Sequence, residues 1–237
     1  MNSLAIKSIL GLLNLSIIMG LALFVPGGTI HYGLAWWYLI IFLGGVLFIS
    51  GYIYINDKRL LQSRLKVGSV AEQRKVQKLV QAIAGMGFIG IYVIAGFDYR
   101  YHWSNMPLVI SIISDGFIIL TMVFFFAVFK MNTYLSATIE VQKDQQVVDR
   151  GPYAIVRHPM YSAALLLFVF TPLALGSYWA LTAVPLMIAV LVVRAIDEEN
   201  ALKKELAGYA EYCKKVKYRL IPFYFRPLLH LIKFINW

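Results

Sequence analysis

The chain of 237 residues is 60% hydrophobic, with a mean hydropathy of +0.70 and a formal charge of +10. Its apolar content lies well above the roughly half-apolar usage of soluble domains and excludes an ordinary water-soluble globule, so the chain reads as one membrane domain with short loops. The Lys and Arg residues flank long apolar runs instead of forming a basic domain of their own, which argues against nucleic acid and for anionic membrane lipids as partners.

The first apolar run covers residues 9–25, with only Lys7 ahead of it. It is long for a signal-peptide core and lacks a small-x-small cleavage site, so it is read as the first membrane helix. Further spans are predicted at 34–55, 79–97 and 107–129. A pair of shorter runs follows at 161–175 and 178–193, separated by Gly176 and Ser177. Each is shorter than the roughly 20 residues of a full crossing. A tilted or partly embedded helical hairpin is therefore expected, with Pro172 and Pro185 as kinks. The fold class is all-α, a polytopic membrane bundle of about five to six segments ending in this hairpin, with a polar pocket at one membrane face. Residues 1–130 form one region of membrane helices and 131–237 a second, chemical region.

Orientation follows from the basic residues. Segment 56–78 holds seven Lys and Arg, 130–160 holds four, and the chain from Arg194 onward holds nine. The opposite loops, 26–33 and 98–106, hold only Arg100. By the positive-inside rule the N-terminus, the basic loops and the C-terminal tail face the cytoplasm. The tail at 203–217 mixes basic residues with Leu206, Tyr209 and Tyr212 as an interfacial helix would, and 223–237 is read as lying at the interface.

Charge gathers where apolar segments end. Arg157-His158-Pro159-Met160-Tyr161 precedes the hairpin, and Arg194, Asp197, Glu198 and Glu199 follow it. Two short helices packed back to back would bring the clusters together. Gly151-Pro152 marks a turn, and Pro159 suits a first helical turn, so a helix is predicted to begin here with free backbone N–H groups near Arg157 and His158. Arg194 and Glu198, four residues apart, share a helix face where they can pair or flank a ligand. Glu199 points about 100° away from Glu198 and is expected to do a different job. Asp115, inside the fourth run, is a costly intramembrane acid and either a site or a structural hydrogen-bonding group. His31, His102 and His230 lack metal-ligand spacing, and no metal site is expected. Cys213, the only cysteine, reads as an ordinary residue of an amphipathic tail.

At these residues the chain resembles the isoprenylcysteine carboxyl methyltransferase family and the related membrane methyltransferases of phospholipids and small thiols. The resemblance rests on Gly151 and Tyr153, on Arg157, His158, Pro159 and Tyr161, then on Arg194, Glu198 and Glu199, and on a tail with Leu202, Tyr209, Tyr212, Val216 and Pro222. It covers about the last hundred residues and makes 131–237 a methyltransferase region. It implies S-adenosyl-L-methionine as cofactor, bound from the cytoplasm in a pocket built by this region. Cofactor contacts are implied at Gln142, Gln145, Gln146, Val147, Val148, Tyr153, His158, Pro159, Met160, Tyr161 and Glu198. Arg194 is implied as the substrate-binding arginine, with Arg194 and Glu198 as the catalytic pair. The chain departs from the family pattern in having Gln145-Gln146 before its two valines and Ala163 where a glycine is usual.

Methyl transfer is an in-line displacement that needs alignment of donor and nucleophile and exclusion of water. A carboxylate acceptor is already ionised at neutral pH, and Arg194 would orient it by a bidentate ion pair. An amine or thiol acceptor would need a base from Glu198, Glu199 or His158. The implied substrate is a lipophilic or prenylated molecule drawn from the bilayer, with phospholipid amines and small thiols as alternative acceptors. The competing class is a transporter or scaffold, which would be expected to place its ionisable groups near mid-bilayer, often in two related halves.

Overall fold

The computed structural model describes residues 3–65, 72, 75–139, 141–142 and 144–222. The expectation for 223–237 lies outside them. Eight α-helices occur among the described residues: α1 (Ser3–Gly27), α2 (Gly33–Asn56), α3 (Lys58–Leu65), α4 (Lys75–Tyr101), α5 (Leu108–Met131), α6 (Pro159–Ala174), α7 (Val184–Glu205) and α8 (Tyr209–Lys215). Short 3-10 turns at Gly151–Ala154 and Trp179–Ala183 precede α6 and α7. The chain is a multi-pass membrane bundle. Helices α1, α2, α4 and α5, and α7 together with its leading turn, are long and apolar enough to cross a bilayer. The 16-residue α6 reaches only roughly 24 Å, short of a core about 30 Å thick. The hairpin is thus unequal, with one short leg and one full-length leg.

The second leg outruns its apolar stretch. Hydropathy falls at Arg194, yet α7 continues to Glu205 because Ala, Leu, Glu and Lys in that stretch are strong helix formers. Pro185 does not kink α7 but sits in its first turn, where a missing N–H costs nothing, while Pro172 lies in the last turn of α6.

The outer surface is apolar, with Leu10, Leu21, Trp37, Phe48, Leu120 and Val123 exposed as lipid-facing residues are. Inside, α1 packs on α4, α2 on α5, α5 on α6 and α4 on α7. Polar groups at depth are mutually satisfied: Tyr38 Oη meets Tyr92 Oη at 2.8 Å and Thr171 Oγ1 at 3.1 Å. Where α1 crosses α4, Gly96 lets the backbones touch. A methyl group on Gly96 would stand 2.6 Å from the Leu23 carbonyl oxygen, which is backbone and cannot swing aside. Gly96→Ala is therefore expected to destabilise the bundle by about 1–3 kcal/mol, read as an earlier thermal transition in detergent; an unchanged transition would mean that the crossing has slack.

The two ends of the bundle differ. At one end Trp36, Trp37, Trp103 and Trp179 gather about the loops, and Asp98 accepts hydrogen bonds from the Ser104 backbone N–H and from the Ser104 and Ser177 hydroxyls. That clamp ties α4 to the turn of the hairpin. The opposite end carries α3, the 132–158 loop, the polar end of α7 and α8.

A polar cavity at the base of the hairpin

The chain enters α6 through the turn at Gly151–Ala154, where Gly151 has φ +58, a conformation that favours glycine. His158 caps α6 and Pro159 opens it, as the turn chemistry predicts. Because the hairpin folds back on itself, the two charged clusters meet. Glu199 is buried, at 1% exposure, and faces four cationic or potentially cationic partners. Arg157 Nε donates to it at 2.7 Å, Arg219 Nε at 3.2 Å, His158 Nε2 lies at 3.3 Å and Lys203 Nζ at 3.5 Å. The two glutamates do have separate jobs: Glu199 locks the base, while Glu198 accepts a hydrogen bond from Tyr161 Oη at 2.5 Å and turns toward the cavity.

The tail is strapped beneath this base. The backbone N–H groups of Arg157 and His158 donate to the Tyr218 and Arg219 carbonyls at 2.9 and 3.0 Å. Arg157 Nη1 adds a bond to the Val216 carbonyl at 2.8 Å, and the Tyr212 hydroxyl donates to the Tyr153 carbonyl at 2.7 Å. The tail, read from the sequence as an interfacial helix suited both to lipid adhesion and to closing the pocket from below, contributes Tyr209 and Tyr212 to one wall of the site.

Above the base opens a cavity of about 380 Å³. Gln145, Gln146, Val147 and Val148 line it, as do Tyr153, His158, Pro159, Met160, Tyr161, Arg194 and Glu198. Gln142 is the exception. Its side-chain amide donates to the Tyr134 carbonyl at 3.1 Å, and its backbone N–H donates to Gln145 Oε1 at 2.9 Å. Gln142 thereby braces the loop beside the wall residues. The ring of Tyr161 stacks on His158 with centroids 5.5 Å apart. Tyr153 receives a hydrogen bond from Asn132 Nδ2 at 2.9 Å, and burial pushes its phenol pKa well above the usual value.

Arg194 does not turn to Glu198. Its Nη2 donates to the Ala137 carbonyl at 2.6 Å, its Nη1 donates to Gln77 Oε1 at 3.3 Å, and Nη1 lies 3.7 Å from buried Glu72. Arg194 thereby joins α7 to the start of α4 and to the 136–139 loop while still facing the cavity.

The pocket is not built by the C-terminal region alone. Arg64 of α3, Gln81 and Ala84 of α4 and Phe125 of α5 all contribute to its wall. Arg64 donates from Nη1 to the Ser136 carbonyl at 3.2 Å and lies over the Phe129 ring, 5.3 Å from its centroid. Tyr209 also lines the cavity; its buried hydroxyl has no hydrogen-bond partner among the described residues. Sequence reasoning overlooked Arg64 as a site residue because an arginine beside a membrane span looks like any topological anchor. The signal in Tyr209 was its place in the tail pattern. Asp115 lies on α5 away from this cavity, with Oδ1 buried and without a hydrogen-bond partner among the described residues. Among the described residues no three His, Cys, Asp or Glu side chains form a metal-holding group.

Two likenesses to known proteins bear on this cavity. Residues 110–204 match the isoprenylcysteine carboxyl methyltransferase (ICMT) family, a stretch that includes α6, nearly all of α7 and the loop residues of the wall. The chain is also 36% identical over 89 residues to the Delta(14)-sterol reductase TM7SF2 of Mus musculus. That likeness covers 36% of this chain and about a fifth, 21%, of the reductase.

Proposed function

Because residues 110–204 match the isoprenylcysteine carboxyl methyltransferase family, we propose that this chain is an integral-membrane methyltransferase. In this reading it takes S-adenosyl-L-methionine from the cytoplasm and a lipophilic acceptor sideways from the bilayer. The proposed reaction is carboxyl O-methylation of an isoprenylcysteine-type substrate. The observation that carries this reading is the shared cavity. The two charged clusters of the family segment open into one space at the basic end of the bundle, within reach of both water and lipid. The positive-inside rule makes that end cytoplasmic.

The residues suit the donor. A cavity of about 380 Å³ falls within the size range of small-molecule sites, and the Tyr209 hydroxyl, without a partner among the described residues, supplies a hydrogen-bonding group for a ligand. When bound, S-adenosyl-L-methionine supplies a methyl group on a positively charged sulfur. The faces of Tyr153 and Tyr161 favour such a cation by about 1 kcal/mol each when desolvated. Glu198 accepts hydrogen bonds from ribose hydroxyls or an ammonium group. His158, held by Glu199, keeps its other nitrogen on the Glu198 side, 4.0 Å from that carboxylate. Arg194 orients an acceptor carboxylate, which carries its charge at neutral pH and asks for no base. The apolar wall of Phe125, Phe168 and Met187 receives the lipophilic part of the acceptor and excludes water.

Calorimetry of the purified protein with S-adenosyl-L-methionine is expected to show saturable binding, and the labelled donor is expected to mark a prenylcysteine carboxylate in preference to phospholipid amines or thiols. Arg194→Ala should leave donor affinity nearly intact and abolish turnover. No heat of binding by the intact protein would end the methyltransferase reading. The likeness to a sterol reductase suggests a second reading, reduction of a lipid double bond; binding of a reduced nicotinamide dinucleotide in place of S-adenosyl-L-methionine would favour it.

A further inference from the structure

Arg64 has hydrogen-bond donors to spare among the described residues. Its five N–H donors sit in a rigid fork suited to two parallel bonds with an anion. Only Nη1 makes hydrogen bonds, to the Ser136 carbonyl at 3.2 Å and a weak one to Met160 Sδ at 3.9 Å. Nε and Nη2 bond to nothing among the described residues, and no described carboxylate lies within ion-pair distance of the guanidinium. Burial depresses its pKa to about 10, which leaves it charged at neutral pH. Glu198 acts on this guanidinium electrostatically from beyond ion-pair distance, so the unused donors of Arg64 are open to a ligand.

The surroundings indicate which ligand group. The nearby guanidinium of Arg194 is already committed to Gln77, Ala137 and Glu72. Glu198 is engaged by Tyr161 and repels anions from its own side of the cavity. Arg64 stands against Phe129, and Gln81 and Ala84 complete the wall beside it with apolar Phe125. An anion seated here therefore has hydrocarbon next to it, whereas the loop and tail residues Val147, Tyr209 and Tyr212 line the remainder of the cavity.

We propose that Arg64 is a substrate-binding residue whose free Nε and Nη2 hold the anionic group of an amphiphilic acceptor, with Arg194 as the second cation of the same seat. The acceptor class is a single-headed lipid carrying a carboxylate beside its apolar chain. This rests on the cavity being the acceptor site of the reaction proposed above. It places a selectivity determinant in α3, outside the family-matched segment 110–204.

The test compares N-acetyl-S-farnesylcysteine with its carboxamide, which keeps the tail and loses the charge. Binding of both is measured on the full chain, together with binding of S-adenosyl-L-methionine. The parent protein is expected to prefer the carboxylate by about 10-fold or more, the yield of one desolvated charge-assisted pair. Arg64→Gln should bring that ratio close to one by weakening the carboxylate alone, with donor affinity unchanged. Arg64→Lys keeps the charge but not the fork, and should bind the carboxylate several-fold less tightly with the carboxamide unaffected; it carries the test if the glutamine variant does not fold. A preserved ratio in Arg64→Gln would overturn the proposal. So would an Arg64→Lys variant that binds both probes like the parent. Loss of donor binding instead of acceptor selectivity would also overturn it, because Arg64 would then hold the donor's own carboxylate. A parent protein that shows the carboxylate preference and its collapse but never binds S-adenosyl-L-methionine would support the anion seat and refute the methyltransferase reading.

Discussion

Glu198→Ala is expected to lower S-adenosyl-L-methionine affinity by about 100-fold or more, to the edge of detection. The carboxylate has room for about four hydrogen bonds, and among the described residues only that from Tyr161 Oη is made. Each charge-assisted bond to a ligand contributes about 1.5–3 kcal/mol, so two of them account for at least two decades of affinity. Tyr161→Phe is the companion measurement. It removes the hydroxyl that aims Glu198 but keeps the ring over His158, and a loss of about 10-fold is expected. Calorimetry on the three proteins decides between roles: parent-like donor binding by Glu198→Ala would remove this residue from the donor site and leave it as a partner of Tyr161 alone.

A second large effect is expected at a residue that lies behind the cavity wall. Glu199→Ala should destabilise the fold by about 3–5 kcal/mol, because it strands Arg157, almost wholly buried, beside Arg219 with no carboxylate at ion-pair distance among the described residues, and removes the closer acid of His158. In thermal denaturation the transition is expected to fall by roughly 10 °C. The more specific readout is proteolysis of the native protein. Arg157 also holds the Val216 and Lys217 carbonyls, so its release should loosen the tail and expose 206–220 to cleavage before the transmembrane helices open. A tail that stays protected in the variant would show that backbone pairing alone holds it.

Much of this was legible in the sequence, and the exceptions have physical reasons. His158, Pro159 and Tyr161 lie within one turn of a helix start, and Arg194 and Glu198 lie on one helix face, so short-range periodicity was enough to place them. That the two clusters face each other followed from counting apolar residues between them. The partners of those groups are another matter. Arg194 reaches Gln77 across 117 positions, and Arg64 reaches Met160 across 96. No spacing rule predicts which basic residue of an N-terminal loop will fold over a pocket made by the C-terminal half. A polar loop residue such as Gln142 gives no sign in the sequence of whether it faces a ligand or braces the loop. The end of α7 was missed because hydropathy marks where lipid stops, whereas helix propensity continues for three more turns.

The strap of residues 216–220 against 156–158 has a bearing on biogenesis. Helices α1, α2, α4 and α5 can enter the bilayer as they emerge from the ribosome, but the wall contributed by Tyr209, Tyr212 and the strap lies beyond α7 in chain order. The compartment therefore closes only after the crossing helices among the described residues have been made. An immature or misinserted chain would be left with an open, watery notch where the finished protein has a site, so competence for ligand doubles as a check that assembly is complete.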